Sequence, residues 1–262
     1  MNMNCYDRIK SKLLRSELVI GMGVSLKDAM ISEIMANAGF DFLWIDMEHT
    51  SLTLEACDAH VSALRGTETA AWVRVPSSHP ATIKPIVDLN PAGIIVPQIN
   101  STAEAARAVS ACRYPPHGVR GYGPRRGIGY GSIDNDSYLQ KSLEDPLVIL
   151  QIEHINAVNQ IDAILDTPGI GSICFGPNDL SGSMGLMGQT GHPRVMEAID
   201  HVIDACKRRK VWCGTSIGYS PELVRRWISK GINWIQSSGD WLILRESAGL
   251  IAKDLRSLTP PL

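Results

Sequence analysis

GFDFLWIDMEHTSLTLEACDAHVSALRGTETAAWVRVP, residues 39–76, decides the fold. Phe42–Asp46 is a short apolar run that ends in an acid. Leu54–Leu64 then carries helical periodicity, and Ala70–Val75 is a second short strand-like run. A strand, a helix and a strand at this spacing make a βαβ unit with parallel strands. The alternation continues in both directions, with candidate strands at Leu18–Val24, Gly93–Pro97, Leu147–Ile152, Ile170–Phe175, Val211–Thr215 and Trp234–Ser237. Between and around them the spacing predicts helices at Leu26–Ala38, Ala81–Asp88, Ala103–Cys112, Ala157–Leu165, Pro193–Arg208, Glu222–Lys230 and Leu242–Leu258. Gly39, Gly93 and Gly231 stand where a helix or turn must stop before the next strand. Eight strands alternating with helices are the order of a (β/α)8 TIM barrel; a doubly wound open sheet is the structural alternative.

The length of 262 residues fits one barrel domain over 1–262. A formal net charge of -2, with 20% charged residues of both signs mixed along the chain, argues against a nucleic-acid or membrane-surface partner. No apolar run reaches the roughly 18 residues that a membrane span needs, and the polar start MNMNCYDRIKSKLLRSE has no signal-peptide core. The six cysteines form no Cys-x-x-Cys pair or zinc spacing and read as reduced, structural thiols, so a cytoplasmic protein is expected. Two connections are long, Arg113–Asp145 and Ser181–Pro193. Both are read as following strands, which would place them at the catalytic end of a barrel as lids and pockets.

Polar residues at the C-terminal ends of barrel strands are where chemistry is expected. FLWIDMEHT delivers Asp46, Glu48 and His49, and a histidine held by carboxylates is a candidate general base; the same acids and His49 could instead structure the turn. WVRVP places Arg74 in an apolar strand, where it needs an anionic partner: a substrate oxygen or a structural carboxylate. VILQIEH sets Gln151 and Glu153 on one inward face, and ICFGPNDLSG brings Asn178 and Asp179 just after the next strand. Two neighbouring carboxylates with water make a hard-oxygen site for a divalent ion, and the Gly-Pro-Asn-Asp turn offers backbone N–H groups to a carboxylate. A divalent ion, an arginine and a histidine around one mouth are what enolising a 2-oxo acid requires.

In order, the segments GFDFLWIDMEH, VRVP, RYPPHGVRG, ILQIEH and FGPNDLS resemble the HpcH/HpaI family of metal-dependent (class II) 2-oxo-acid aldolases, in the phosphoenolpyruvate/pyruvate barrel superfamily. The resemblance covers Gly21 to Asp240. It implies a (β/α)8 barrel, hexameric, whose last helix packs on a neighbouring subunit. It also implies that Glu153 and Asp179 hold a divalent metal (Mg²⁺, Mn²⁺ or Co²⁺), that Arg74 stabilises an enolate and that His49 moves protons, with Asp46 as its companion. Gln151 and the amides of Asn178 and Asp179 would bind the substrate, and Asp88 matches an acid that reaches the histidine from an adjacent subunit. As an ordinary solvated acid, Asp88 would need no such role.

The sequence departs from the family pattern at Gly23, Met47, His154, the Gly214-Thr215-Ser216 end of the seventh strand and Ser238, which alters the pocket for the second substrate and leaves the metal and base positions intact. His154 points away from Glu153 along the strand and is expected to support the site rather than ligate. Arg125 and Arg126, on the first long connection, are candidates to meet an anionic substrate tail or to serve a solvated or inter-subunit role. The expected function is a lyase that reversibly cleaves a 4-hydroxy-2-oxo acid, a 2-keto-3-deoxy sugar acid or dicarboxylic analogue, to pyruvate and an aldehyde through a pyruvate enolate. Two alternatives use the same residues: another enolate reaction of the superfamily, such as acyl-CoA ester cleavage or decarboxylating carbon–carbon bond formation, and a non-catalytic barrel that only binds 2-oxo acids.

Overall fold

A computed structural model describes residues 4–258; the two ends of the expected 1–262 domain lie outside the described residues. Eight parallel strands close into a barrel in sequence order: β1 (Val19–Val24), β2 (Phe42–Asp46), β3 (Ala70–Arg74), β4 (Gly93–Val96), β5 (Leu147–Ile152), β6 (Ser172–Phe175), β7 (Trp212–Ile217) and β8 (Trp234–Gly239), with β8 pairing back on β1. The barrel is therefore a (β/α)8 TIM barrel, and the open-sheet alternative falls.

Alternation of side chains along each strand sorts two cores. Phe42, Trp44, Trp72, Ile95, Ile149 and Trp234 point inward and fill the barrel. Leu43, Ile45, Val73, Val148 and Ile173 point outward into the layer under the helices. The inward residues are too large to stand side by side, and glycine resolves the crowding. A Cβ on Gly93 would lie 2.6 Å from the Trp72 ring, so the indole occupies the volume that residue 93 leaves empty.

A helix absent from the expectations, α1 (Tyr6–Leu14), closes the N-terminal end of the barrel with Tyr6, Ile9 and Leu13. The outer helices begin with α2 (Met30–Asn37), α3 (Leu54–Ala63), α4 (Pro80–Val87) and α5 (Thr102–Cys112). After α6 (Asn135–Lys141), the expected helix over 157–165 is two, α7 (Ile155–Asn159) and α8 (Ile161–Leu165), with Gln160 at φ -113° between them. The Gly-Pro-Asn-Asp turn is the first turn of another unexpected helix, α9 (Pro177–Ser183), which has Pro177 at its first position. The remainder are α10 (Pro193–Arg209), α11 (Pro221–Ser229) and α12 (Asp240–Ser257). No helix among the described residues is long and apolar enough to cross a membrane.

One expectation is corrected. The Arg113–Asp145 connection follows helix α5 and leads into β5, so it lies at the N-terminal end of the strands, opposite the mouth. Arg126, which it carries, pairs with Asp58 and donates to Ser62 on α3. The strand before this connection had already been followed by its helix, and only connections that leave a strand reach the catalytic face. The Ser181–Pro193 segment does leave β6, through α9, and stands at the mouth as expected.

Candidate active site

The period-two alternation that buries Phe42 and Trp44 brings Asp46 inward at the top of β2, and the same alternation brings Arg74 inward beside it on β3. The pair is bidentate: Arg74 Nε donates to Asp46 Oδ1 at 2.9 Å and Nη2 to Oδ2 at 2.5 Å. Asp46 Oδ1 also accepts the backbone N–H groups of Glu48, at 3.0 Å, and His49, at 3.3 Å, which folds the chain back over the mouth. That turn sets the Glu48 carboxylate 3.0 Å from Arg74 Nη1. It leaves the His49 ring 61% exposed, with Nε2 3.7 Å from Glu48 Oε2. Trp44 lies beneath, its ring centroid 5.3 Å from the guanidinium carbon. Burial works against the charge on Arg74, and the two carboxylates outweigh it and hold the pKa up. Burial pushes the Glu48 carboxyl up to about 6, against the pull of Arg74 and with repulsion from Asp46 and Asp179.

Across the mouth, Glu153 follows β5 and is 2% exposed. Its Oε1 accepts the Gln98 backbone N–H at 2.7 Å and its Oε2 accepts Gln151 Nε2 at 2.5 Å. Gln98 has φ 57°, a left-handed conformation uncommon for glutamine, at the turn that presents this N–H to Glu153. Gly176 makes room for the pair, since a Cβ there would lie 2.9 Å from Glu153 Oε2 and 3.3 Å from Gln151 Nε2. Burial, joined by repulsion from Glu48 and Asp179, pushes Glu153 up to about 7 despite its hydrogen bonds. Asp179, in the first turn of α9, is exposed toward the same space, as is Asn178.

The donor set fits a divalent cation. Glu48 and Asp179 both repel the Glu153 carboxylate, and the Arg74 guanidinium is paired with Asp46 and Glu48 rather than with Glu153. Gln151 Oε1 is buried with no hydrogen-bond partner among the described residues. Among the described residues no three His, Cys, Asp or Glu side chains are grouped so as to hold a metal by themselves. A cation on Glu153 and Asp179 would therefore complete its shell from water and substrate oxygens, as Mg²⁺ ordinarily does.

Asp46, Glu48, His49, Arg74, Gln151, Glu153, Asn178 and Asp179 all belong to the mouth. Asp46 differs from its expected part: its carboxylate meets Arg74 and the turn amides rather than the His49 ring. Asp88 is not brought to the mouth of its own chain. It caps the C-terminus of α4 at the opposite end, where Arg120 Nη2 donates to it at 2.7 Å. His154 accepts the Asn156 N–H at 3.1 Å and caps α7. Sequence reading missed Asp240. It is 1% exposed, and it takes hydrogen bonds from Ser25 N, Ser25 Oγ and Leu26 N at 2.8, 2.6 and 2.9 Å, which ties the loop after β1 to the wall of the mouth. Its only hint is its place at the head of the last helix, where an acid is favoured on general grounds.

Residues 20–243 match the family described as HpcH/HpaI aldolase/citrate lyase. The 5-keto-4-deoxy-D-glucarate aldolase of Salmonella paratyphi C (strain RKS4594) is 31% identical over 247 residues, covering 94% of this chain and 95% of that protein. The crystal structure of an HpcH/HpaI aldolase from Desulfitobacterium hafniense DCB-2 superposes with a TM-score of 0.90 at 29% identity, over 96% of this chain and 98% of the other. That of an HpcH/HpaI aldolase/citrate lyase family protein from Burkholderia cenocepacia J2315 gives 0.87 at 29% identity, over 95% and 99%.

Proposed function

The chain belongs to the HpcH/HpaI aldolase/citrate lyase family, and on that premise we propose how its mouth works as a carbon–carbon lyase. The reaction is reversible cleavage of a 4-hydroxy-2-oxo acid, of the 2-keto-3-deoxy sugar acid or dicarboxylic kind, to pyruvate and an aldehyde. The observation that carries this reading is the buried Glu153, its pKa raised among acids and without a cationic partner among the described residues, across the mouth from a forked arginine.

Glu153 and Asp179 would hold a divalent cation, which when bound supplies Lewis acidity to the oxygens of a 2-oxo acid. Gln151 and the first-turn amides of Asn178 and Asp179 hold the substrate head. Two of the five N–H groups on Arg74 donate to Asp46, and Nη1 stands 3.0 Å from Glu48 without donating to it, which leaves N–H groups for the oxygen that gains charge. His49 takes the C4 hydroxyl proton through water. The C3–C4 electron pair passes into the 2-oxo group as the aldehyde leaves, and a proton delivered to C3 completes pyruvate. Asp46 is a positioning residue, since it fixes the fork and the turn that carries His49.

Trp241, Leu244, Leu250, Ile251 and Leu255 expose apolar surface along α12, which supports packing of this helix on a neighbouring copy in a homo-oligomer. A second copy is also the only route by which Asp88 would reach a His49. Free cysteines, five of the six buried, support a reducing, cytoplasmic setting.

The test is hydrogen–deuterium exchange at the pyruvate methyl group, followed by NMR in D₂O with Mg²⁺ or Mn²⁺ and again with a chelator. Metal-dependent exchange is expected. No exchange from enzyme shown to hold metal would overturn the reading.

A further inference from the structure

The start of the loop between β1 and α2 is held by side chains. The N–H groups of Ser25 and Leu26 both donate to Asp240 Oδ2, at 2.8 and 2.9 Å, and Ser25 Oγ donates to Asp240 Oδ1 at 2.6 Å. The Leu26 carbonyl, which can only accept, takes a hydrogen bond at 3.0 Å from His60 Nε2 on α3. Ser32 Oγ on α2 stands 2.8 Å from the other ring nitrogen of His60. Both polar backbone groups of Leu26 are thus engaged by residues 214 and 34 positions away along the chain. Both partners are buried, Asp240 at 1% exposure and His60 at 0%.

Asp240 is a buried acid without a cation. Among the described residues no lysine or arginine lies within ion-pair distance of it. Its charge is met by four donors: the three from the loop, and the Trp241 N–H, which reaches Oδ1 at 2.8 Å. The N-terminus of α12 adds a favourable dipole. A carboxylate so placed is costly unless such bonds are made, so the acid and the loop hold each other in one arrangement.

That arrangement shapes a cavity. A space of about 240 Å³ opens in front of Arg74, bounded by Trp44, Ser25, Gln236 and Trp241. It lies over the ends of β7, β8 and β1, and neither Glu153 nor Asp179 lines it. Those two acids follow β5 and β6, on the other side of the mouth. A 2-oxo acid with its head between them and Arg74 would project the rest of its chain into this space. Ser25 forms one side of the cavity and Trp241, 53% exposed, another; Asp240 bonds to both. A wall that is already fixed does not have to be ordered when the ligand arrives, which preserves affinity.

We propose that Asp240 is a positioning residue for substrate: it presets the Ser25 and Trp241 walls, so that the part of a 2-oxo acid beyond its head meets a formed cavity. The inference rests on the placement of the 2-oxo-acid head in the lyase reading. It adds to that reading a residue whose two oxygens are occupied within the fold and which acts only through its neighbours.

Asp240→Asn tests it, because the amide keeps the shape and offers one accepting oxygen where two are needed. Two ligands with one head and different lengths are the probes, pyruvate and 2-oxohexanoate, each titrated by calorimetry into the Mn²⁺-loaded enzyme. Both are monoanions, so the charge lost at position 240 affects them alike and their affinity ratio isolates the wall. The ratio of 2-oxohexanoate to pyruvate affinity should fall about tenfold in the variant. The Ser25 and Leu26 amides should exchange with D₂O about tenfold faster, followed by mass spectrometry. Ser25→Ala removes one of the four bonds at a half-buried position and should speed Leu26 exchange by about threefold; it serves also if Asp240→Asn does not fold. An unmoved ratio in folded Asp240→Asn, unmoved Leu26 exchange in either variant, or an unsubstituted enzyme that does not bind 2-oxohexanoate overturns the proposal. Methyl exchange of pyruvate by the unsubstituted enzyme separates the two readings. If it is present and the ratio does not move, the positioning role fails alone. If it is absent and the ratio still falls, the lyase reading fails and the positioning role stands.

Discussion

A lysine at position 74 would keep a positive charge at the mouth and lose everything else the arginine does. Arg74 meets two acids at once, Asp46 in bidentate fashion and Glu48 at 3.0 Å, and still has N–H groups left. A compact ammonium cannot span that set. Arg74→Lys is expected to lower kcat by about 10²-fold or more, with the KM for the 4-hydroxy-2-oxo acid changed far less, in steady-state assays of cleavage. Gly176→Ala acts on the opposite wall. Its methyl would crowd Glu153 Oε2 at 2.9 Å and push the carboxylate off its place. Mn²⁺ affinity measured by calorimetry should fall by about 10–100-fold, with the far-ultraviolet circular dichroism unchanged. These two residues mark what a sequence displays and what it conceals. Arg74, Glu153 and Asp179 are legible because an apolar strand that ends in charge is anomalous on its face. Gly176 and the left-handed Gln98 serve Glu153 only through tertiary contact, and nothing in their neighbours along the chain announces it.

Elements read well where burial imposes a period and poorly where packing alone calls for a helix. Each barrel strand lies within about two residues of its expected position, since β2 to β6 are short apolar runs buried along nearly their whole length, and β7 and β8 start apolar and end in polar residues at the mouth. Helix α1 escaped the sequence reading because its buried contacts, Tyr6, Ile9 and Leu13, sit in a stretch otherwise full of charge. Those three side chains seal the floor against Phe42, Trp72 and Trp234. Ile9 is 2% exposed, and Ile9→Ala should cost about 2–5 kcal/mol in urea-unfolding experiments. Metal-dependent exchange per folded molecule should stay as it was, because the helix never approaches the mouth. The Arg113–Asp145 connection was misplaced for a related reason: its glycines and arginines resemble a lid, and only the count of strands and helices before it reveals which end of the barrel it covers.

At the scale of the molecule, the two ends of the barrel divide the work: chemistry at the C-terminal ends of the strands, stability at the N-terminal ends. Asp145 tests that division. It lies at the floor, 8% exposed, where Asn4 Nδ2 donates to both its oxygens at 3.0 Å and Lys141 Nζ stands 3.4 Å away. Burial dominates these attractions, with added repulsion from Asp7, and pushes the carboxyl up from 3.8 to about 6. The folded chain thus holds this proton more tightly than the unfolded chain does. The associated stability is complete below about pH 4 and is lost as the pH rises through about 6. A rise of about two units corresponds to at most about 3 kcal/mol. Asp145→Asn keeps the shape without the charge, so it should raise the unfolding free energy at pH 7 and flatten its fall between pH 4 and pH 6. Pyruvate exchange in the same variant should match the unsubstituted enzyme, because no group at the mouth contacts residue 145. A loss of exchange in a fully folded Asp145→Asn variant would mean that the floor and the mouth are coupled, which the separate inner core between them gives no reason to expect.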